Sequence, residues 1–345
     1  MIVAENEGDP MEQDYEQETI DTEDLKPATK SGKTAKEQTI RDLHGVGPAT
    51  AEKLEAVGFG DLMAIAVATP GELIDATGMS EAAAKKLIAC ARNSLDMGFA
   101  SGDELLERRS QVLKISIGVP DFDALLGGGF ETGCITECFG QYGSSKTQIA
   151  HQLAINVQKQ FPGCTVVYIH TENTFRPERI DQMAKGAGID AKEALRHIKV
   201  AKAYNSDHQA LLAEKVEDLI KKDGLDVKLV IVDSLTAHFR AEYIGRGTLA
   251  DRQQKINRHM RTLSKLADMH NLCVYVTNQV MAKPDSFFGD PTEAIGGNIV
   301  GHNSTFRLYL RKGKKGSRVA KLIDSPNMPD GEVTFMVETD GLKAF

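Results

Sequence analysis

The fold class that this sequence predicts is α/β: a mostly parallel sheet covered by helices on both faces, preceded by a small all-helical domain. Three observations predict it. From Val112 onward short apolar strands alternate with longer amphipathic helices, the pattern of a parallel sheet with crossover helices. Between residues 37 and 95 alanine, leucine and lysine dominate, and glycines close the helical runs. One glycine-rich turn, GQYGSSKT at 140–147, falls between an apolar strand and an amphipathic helix.

The 345 residues are enough to bury a sizeable core, and 41% hydrophobic with 26% charged residues is ordinary for a globular chain. No apolar run reaches the roughly 18 to 20 residues that span a bilayer, and the N-terminus lacks the pattern of a secretory leader. Five cysteines (Cys90, Cys134, Cys138, Cys164, Cys273) show no CxxC or zinc spacing and read as reduced core thiols, which predicts a cytoplasmic protein with no membrane partner. The net charge of −8 is uneven: residues 1–27 hold ten acids against Lys26 alone, so the remainder carries 39 acids and 40 bases. Residues 1–36 are therefore expected to be a disordered acidic tail and linker, leaving the rest free to carry basic patches.

Helical segments are expected at IRDL, ATAEKLEAVG, LMAIAVA, PGELIDATG and EAAAKKLIACARNSL, all within 37–95. GVGPATAEKL (45–54) and GMSEAAAKKL (78–87) repeat one design, a glycine-led turn and a helix ending in Lys-Leu. Residues 96–110 read as a linker running into a charged helix. The clearest strands from 111 to 345 are CITECFG (134–140), TVVYIHTE (165–172), KLVIVDS (228–234), NLCVYVTNQ (271–279) and STFRLYLRK (304–312), with a helix at 146–160.

GQYGSSKT has the position and length of a phosphate-binding loop. In such a loop backbone N–H groups ring the phosphates, the lysine reaches the terminal ones and the hydroxyl holds magnesium. Gly140, Gln141, Tyr142, Gly143, Ser144, Ser145, Lys146 and Thr147, with Gln148 beyond, form this candidate site; Ser145 stands where a glycine is expected. Asp233 ends a buried strand and is a candidate magnesium partner beside Thr147. Glu172 ends another strand, where it reads either as the group that polarises an attacking water or as a surface carboxylate. Gln279 ends a third and could contact a γ-phosphate. Polar groups at several C-terminal strand ends converge where parallel sheets bind ligands, which points to ATP with Mg2+.

GVGPATAEKL also resembles a helix–hairpin–helix element, in which Gly45 and Gly47 let backbone N–H groups approach DNA phosphates, with Lys53 nearby. The segments HFRAEYIGRGTLADRQQ (238–254) and VMAKPDSFFGDPTEAIGGNIVG (280–301) read as long structureless loops, which are usually functional. Arg240, Tyr243, Arg246 and Arg252 in the first, and Lys283, Gly296, Gly297 and Asn298 in the second, are the candidate DNA contacts. Phe287 and Phe288 either stack on bases or anchor the loop.

The segments GVGPATAEKL, GFASGDELLERR, LLGGGFETG, HTENTFRPERI, LVIVDSLTAHFRAEYIGRG, TNQVMAKPDSFFGDP, GGNIVGH and LIDSPNMPDGE together resemble the archaeal RadA recombinase family. That family is similar to the eukaryotic strand-exchange recombinases and, in its ATPase core, to bacterial RecA. The resemblance covers the chain from about Ile40 onward. It implies a RecA-like P-loop ATPase core over 111–345, a helix–hairpin–helix domain over 37–95, and a polymerisation motif in the 96–110 linker. The implied activity is ATP-dependent filament formation on single-stranded DNA, homologous pairing and strand exchange with a duplex. Its partners would be both forms of DNA, further copies of the chain in a helical filament or ring, and loader or mediator proteins.

At matching positions Glu172 resembles the family's catalytic glutamate, Gln279 its γ-phosphate sensor and His302 the histidine that reports nucleotide state. Arg176 resembles the arginine packed on adenine. Asp324 to Gly331, with Pro329, look like a cap donated by the neighbouring subunit. Phe99 is similar to the linker phenylalanine that docks on the adjacent core, a head-to-tail contact that generates a filament. Four positions depart from the family pattern: Ser145 for glycine, His170 for aspartate, Gly102 for the alanine of Phe-x-x-Ala, and Met281 for glutamine. Ser145 and His170 favour an alternative, an ATP-binding filament or DNA-binding regulator with little hydrolysis. A ring-shaped helicase is disfavoured by the hairpin domain, Phe99 and the two loops.

Overall fold

A computed structural model describes residues 39–43, 45–95, 101–282 and 292–345. The acidic tail, Phe99, Lys283, Phe287 and Phe288 lie outside the described residues. The chain divides into two compact units between residues 100 and 101.

The small unit opens with a 3-10 turn at Ile40–Asp42, followed by α1 (Pro48–Ala56), α2 (Leu62–Val67), α3 (Pro70–Thr77) and α4 (Glu81–Ser94). Capping sets these boundaries. Asp61 accepts from the Ala64 N–H at 2.6 Å, Thr69 and Glu72 cap each other's backbone, and Gly78 ends α3 in the left-handed region. Leu54, Ile65, Leu73 and Ala91 are wholly buried in its core. The repeat seen in the sequence is also a backbone repeat. Gly45 and Gly78 both have left-handed φ (96° and 74°), and two residues later Gly47 and Ser80 are the N-caps of α1 and α4.

The large unit runs through α5 (Gly102–Arg109), β1 (Lys114–Ile115), α6 (Pro120–Leu125), β2 (Phe130–Glu131), β3 (Ile135–Gly140), α7 (Lys146–Gln160), β4 (Thr165–His170), α8 (Pro177–Ala187), α9 (Ala191–Arg196) and β5 (Ile198–Lys202). It continues with α10 (Ser206–Lys221), β6 (Val227–Asp233), α11 (Ala237–Glu242), a 3-10 turn at Arg246–Thr248, α12 (Leu249–His270), β7 (Cys273–Asn278), β8 (Val280–Ala282) and β9 (Thr292–Ala294). It closes with α13 (Gly297–Asn303), β10 (Phe306–Lys312), β11 (Arg318–Asp324), β12 (Gly331–Glu338) and β13 (Gly341–Ala344). The main sheet has the order β13-β12-β11-β10-β3-β7-β6-β4-β5. From β10 to β5 every pairing is parallel, and β11 to β13 extend the sheet as antiparallel hairpins.

The strands alternate between two cores, as the period of two requires. Val166, Tyr168, Leu229, Ile231, Cys273 and Tyr275 face α7 and α8 on one side; Val167, Ile169, Val230, Val232, Val274 and Val276 face α10 to α12 on the other. The expected sheet covered on both faces is present.

The segment read as a structureless loop at 238–254 is mostly helical, lying in α11, the 3-10 turn and the start of α12. The glycines Gly245 and Gly247 interrupt it only locally, while Ile256, Met260 and Leu263 bury the helix that follows against the sheet. The other segment also has structure at both ends: β8 pairs antiparallel with β9, and Gly296 caps α13.

Candidate active site

The site is built at the C-terminal ends of β3, β4, β6 and β7. Gly140 ends β3 where a Cβ would come within 2.1 Å of the Leu310 carbonyl on β10, so no larger residue fits there. The loop then turns through Gly143 (φ 75°) and Ser145 (φ 81°) into α7. Left-handed backbone is natural for Gly143 and strained for Ser145, at about 1–2 kcal/mol for a residue with a Cβ. Ser145 thus holds the left-handed conformation that a glycine would adopt freely at this position.

Lys146 turns inward, its Nζ donating to the carbonyls of Gly140 (2.7 Å) and Gln141 (3.0 Å). Burial lowers its pKa, with the negative charge of Asp233 acting in the opposite direction. Asp233 is the hub of the site. Its Oδ2 accepts from Thr147 (2.8 Å), Thr174 (2.8 Å) and Tyr168 (3.1 Å), and its Oδ1 from Thr277 (2.5 Å). Across the cleft Gln279 Nε2 donates to Glu172 Oε1 at 2.9 Å. His170, beside Asp233 in the β4–β6 register, is buried with Nδ1 unpartnered, and desolvation followed by the nearby Lys202 lowers its pKa.

These groups surround a cleft of about 950 Å³ lined by Gly140, Gln141, Tyr142, Gly143, Ser145, Lys146, Thr147, Gln148, Glu172, Asp233 and Gln279. Ser144 is buried beneath the loop. Arg176, the N-cap of α8, does not line the cleft. Arg179, one turn further on, does: its guanidinium donates to Gln148 Oε1 (2.7 Å) and to the carbonyls of Glu338 (2.7 Å) and Thr339 (2.6 Å). Of the two arginines that flank Pro177-Glu178, it is thus Arg179 whose side chain lines the cleft. His302 is exposed near the end of α13, Asp324 ends β11 and Pro329 lies in the turn to β12, none of them in this chain's own cleft.

Sequence reasoning missed Tyr168, Thr174 and Thr277 as partners of Asp233, and Arg318, whose Nε donates to the Gly143 carbonyl at 3.1 Å. Thr277 was within reach, since it lies two residues before Gln279, the period at which an extended chain returns to one side. Arg318 needed the β10–β11 register.

The candidate DNA residues fall in several places. In the small unit Gly45 and Gly47 shape the hairpin before α1, with open space where a Cβ would stand at either, and Lys53 is exposed on α1. In the large unit Arg240 is exposed on α11, and Arg252 is half-buried on α12. Tyr243 packs against the core, with Lys255 Nζ 5.4 Å from its ring centroid. Arg246 belongs to the 3-10 turn before α12. Gly296 has φ 96°, and a Cβ there would lie 2.5 Å from Val300 Cγ2; Gly297 begins α13 and Asn298 is exposed on it. Met281 is exposed on β8, opposite Glu293. Gly102 starts α5 in open space, after the N-cap Ser101.

A phosphate-loop ATPase core with a RecA-like sheet, carried with a separate helix–hairpin–helix unit, is the class that this fold and site define. The family model Rad51 matches residues 108–345, and the SAM-like helix-hairpin-helix tandem matches residues 37–93. The chain is 53% identical over 318 residues to the "DNA repair and recombination protein RadA" of Methanococcus maripaludis (strain C5), covering 88% of this chain and 98% of that one. It is 52% identical over 322 residues to the protein of the same name in Methanocorpusculum labreanum, with the same coverage of 88% and 98%. The chain belongs to the Rad51 family.

Proposed function

We propose that this chain is a DNA-dependent ATPase that forms filaments on single-stranded DNA and carries out homologous pairing and strand exchange in DNA repair and recombination. The observation that carries the reading is the pairing of Gln279 with Glu172 across a cleft whose floor holds Lys146, Thr147 and Asp233. Its partners are single- and double-stranded DNA, further copies of itself and loader or mediator proteins. Among the described residues no helix is long and apolar enough to cross a membrane, and the proposed place of work is the cytoplasm, at the nucleoid.

The donor set suits ATP and magnesium. One carboxylate with one hydroxyl, Asp233 and Thr147 at 2.8 Å, fits an ion that takes most of its ligands from phosphates and water. Bound there, magnesium would supply charge neutralisation on the phosphates. The N–H groups of the loop at 140–147 and the N-terminus of α7 are the phosphate cradle. Lys146 is to exchange its contacts with the Gly140 and Gln141 carbonyls for phosphate oxygens. Glu172 orients the attacking water and accepts its proton, and Gln279, now bonded to Glu172, turns to the γ-phosphate. Arg240, Arg246, Arg252, Lys283 and the turn at Gly296–Asn298 supply DNA contacts from the core, and the Gly45–Gly47 hairpin with Lys53 supplies them from the small unit. Phe99 and Gly102 lie in the segment proposed to join neighbouring copies, and His302, Asp324 and Pro329 are assigned to sensing and capping between subunits.

The test is ATP turnover with and without single-stranded DNA, beside electron microscopy on that DNA. Stimulated turnover and helical filaments are expected. Filaments without turnover would favour the weakly hydrolysing reading, which the left-handed Ser145 supports.

A further inference from the structure

Three consecutive residues at and just beyond the end of β7, Thr277 to Gln279, address two parts of the molecule. Thr277 donates to Asp233 and Gln279 to Glu172, both in the cleft. Between them Asn278 turns to other partners and is fully buried. Its Oδ1 accepts from Thr236 Oγ1 at 2.7 Å, and its Nδ2 donates to the Ile295 carbonyl at 2.5 Å and to Glu137 Oε1 at 2.8 Å. Glu137 is itself fully buried and takes a second bond, at 2.7 Å, from Arg307 Nε on β10.

Thr236 and Ile295 are the roots of the two DNA segments. Thr236 immediately precedes α11, and Ile295 lies between β9 and α13. The backbone repeats the same ties: Leu235 N–H donates to the Thr277 carbonyl (2.8 Å) and Ile295 N–H to that of Gln279 (3.0 Å). A buried carboxamide and carboxylate are costly unless every polar atom is satisfied, and networks of this kind hold one geometry. A displacement of Gln279 would therefore bear on its neighbour Asn278 and, through these buried hydrogen bonds, on both roots.

We infer that Asn278 is a positioning residue that couples the nucleotide cleft to both DNA segments. The inference rests on the reading of the chain as a DNA-dependent ATPase. Asn278 touches no substrate; it makes the Gln279–Glu172 arrangement and the placement of Thr236 and Ile295 mutually dependent, and such a linkage acts equally in both directions.

The test uses the full chain and measures two ratios: single-stranded DNA affinity with ATP against ADP, and ATP turnover with DNA against without. Asn278→Ser removes all three side-chain ties, and Thr236→Val removes one while keeping the size of the side chain. Turnover without DNA is expected to stay close to that of the unmodified chain. Both ratios should fall, by roughly fivefold or more for Asn278→Ser, and by less for Thr236→Val. If Asn278→Ser does not fold, Thr236→Val decides alone. A lower unfolding temperature with both ratios intact would make the network purely structural and overturn the inference. An unmodified chain whose DNA affinity ignores the nucleotide would overturn the recombinase reading, and the inference with it.

Discussion

Gln279 and Glu172 are joined by a 2.9 Å hydrogen bond that links the end of β7 to the turn after β4. The amide of one is thereby bonded to the carboxylate proposed to act on water. A γ-phosphate competing for that amide would release the carboxylate at the moment it is needed.

Glu172→Gln should keep ATP and DNA binding and cut turnover by about 10²- to 10⁴-fold, the usual loss for a positioned base. Its carboxamide can still accept from Gln279, so the cleft should keep its shape. Unchanged single-turnover hydrolysis would remove Glu172 from the mechanism.

Ser145→Gly should relieve left-handed strain at φ 81°. Thermal unfolding is expected to rise by the equivalent of about 1 kcal/mol, and ATP affinity several-fold if the strain is felt in the bound loop. Calorimetry and ATP titration of both forms check this; a less stable glycine form would show that the serine side chain contributes something of its own.

Acid should destabilise the large unit through two buried histidines. Burial depresses His151 and His259 from the ordinary 6.5 to about 4. Their stabilising effect is complete above about pH 6.5 and is lost as pH falls from there through about 4, because the unfolded chain takes up protons that the folded one refuses. Each adds a slope of at most about 1.4 kcal/mol per pH unit. His259→Leu should flatten urea-denaturation midpoints measured between pH 7 and 5; an unchanged pH dependence would exclude His259 as a source.

Arg240, exposed on α11, is expected to meet phosphate rather than bases. Arg240→Ala should weaken single-stranded DNA binding without altering sequence preference and lower the salt slope by about one. A change in sequence preference would mean that Arg240 reads bases.

Gly102→Ala places a methyl in open space at the first position of α5. No clash opposes it, and alanine favours the helix. Oligomers should become larger or more persistent by light scattering, whereas Phe99→Glu should make them smaller. Equal sizes in all three proteins would remove this segment from assembly.

Much of this arrangement was legible in the sequence because buried parallel strands are unbroken apolar runs ending in a functional polar residue. β6 and β7 come nearest to that form, and Asp233 and Gln279 fall at or just beyond their ends; β10 instead alternates apolar and polar residues. β5 was less legible because an edge strand, IKVAK, is largely exposed. The helical course of 238–254 is hidden in the sequence because Gly245 and Gly247 interrupt it before the apolar spacing of α12 begins. Tyr168, Arg179 and Arg318 reach the site through packing and antiparallel register, which no local spacing records.

The place of β3 in the sheet has a consequence for synthesis. β3 pairs with β7 on one side and β10 on the other, and Glu137 meets Arg307 at a separation of 170 residues. The small helical unit closes from local contacts and can form while the rest is being made. The large unit cannot, because its central strand keeps an open edge until the chain has been translated beyond residue 312. During that interval an apolar strand is exposed to any other strand that can pair with it. The nascent large unit is therefore the part of the chain open to mispairing during synthesis, and the small unit is not.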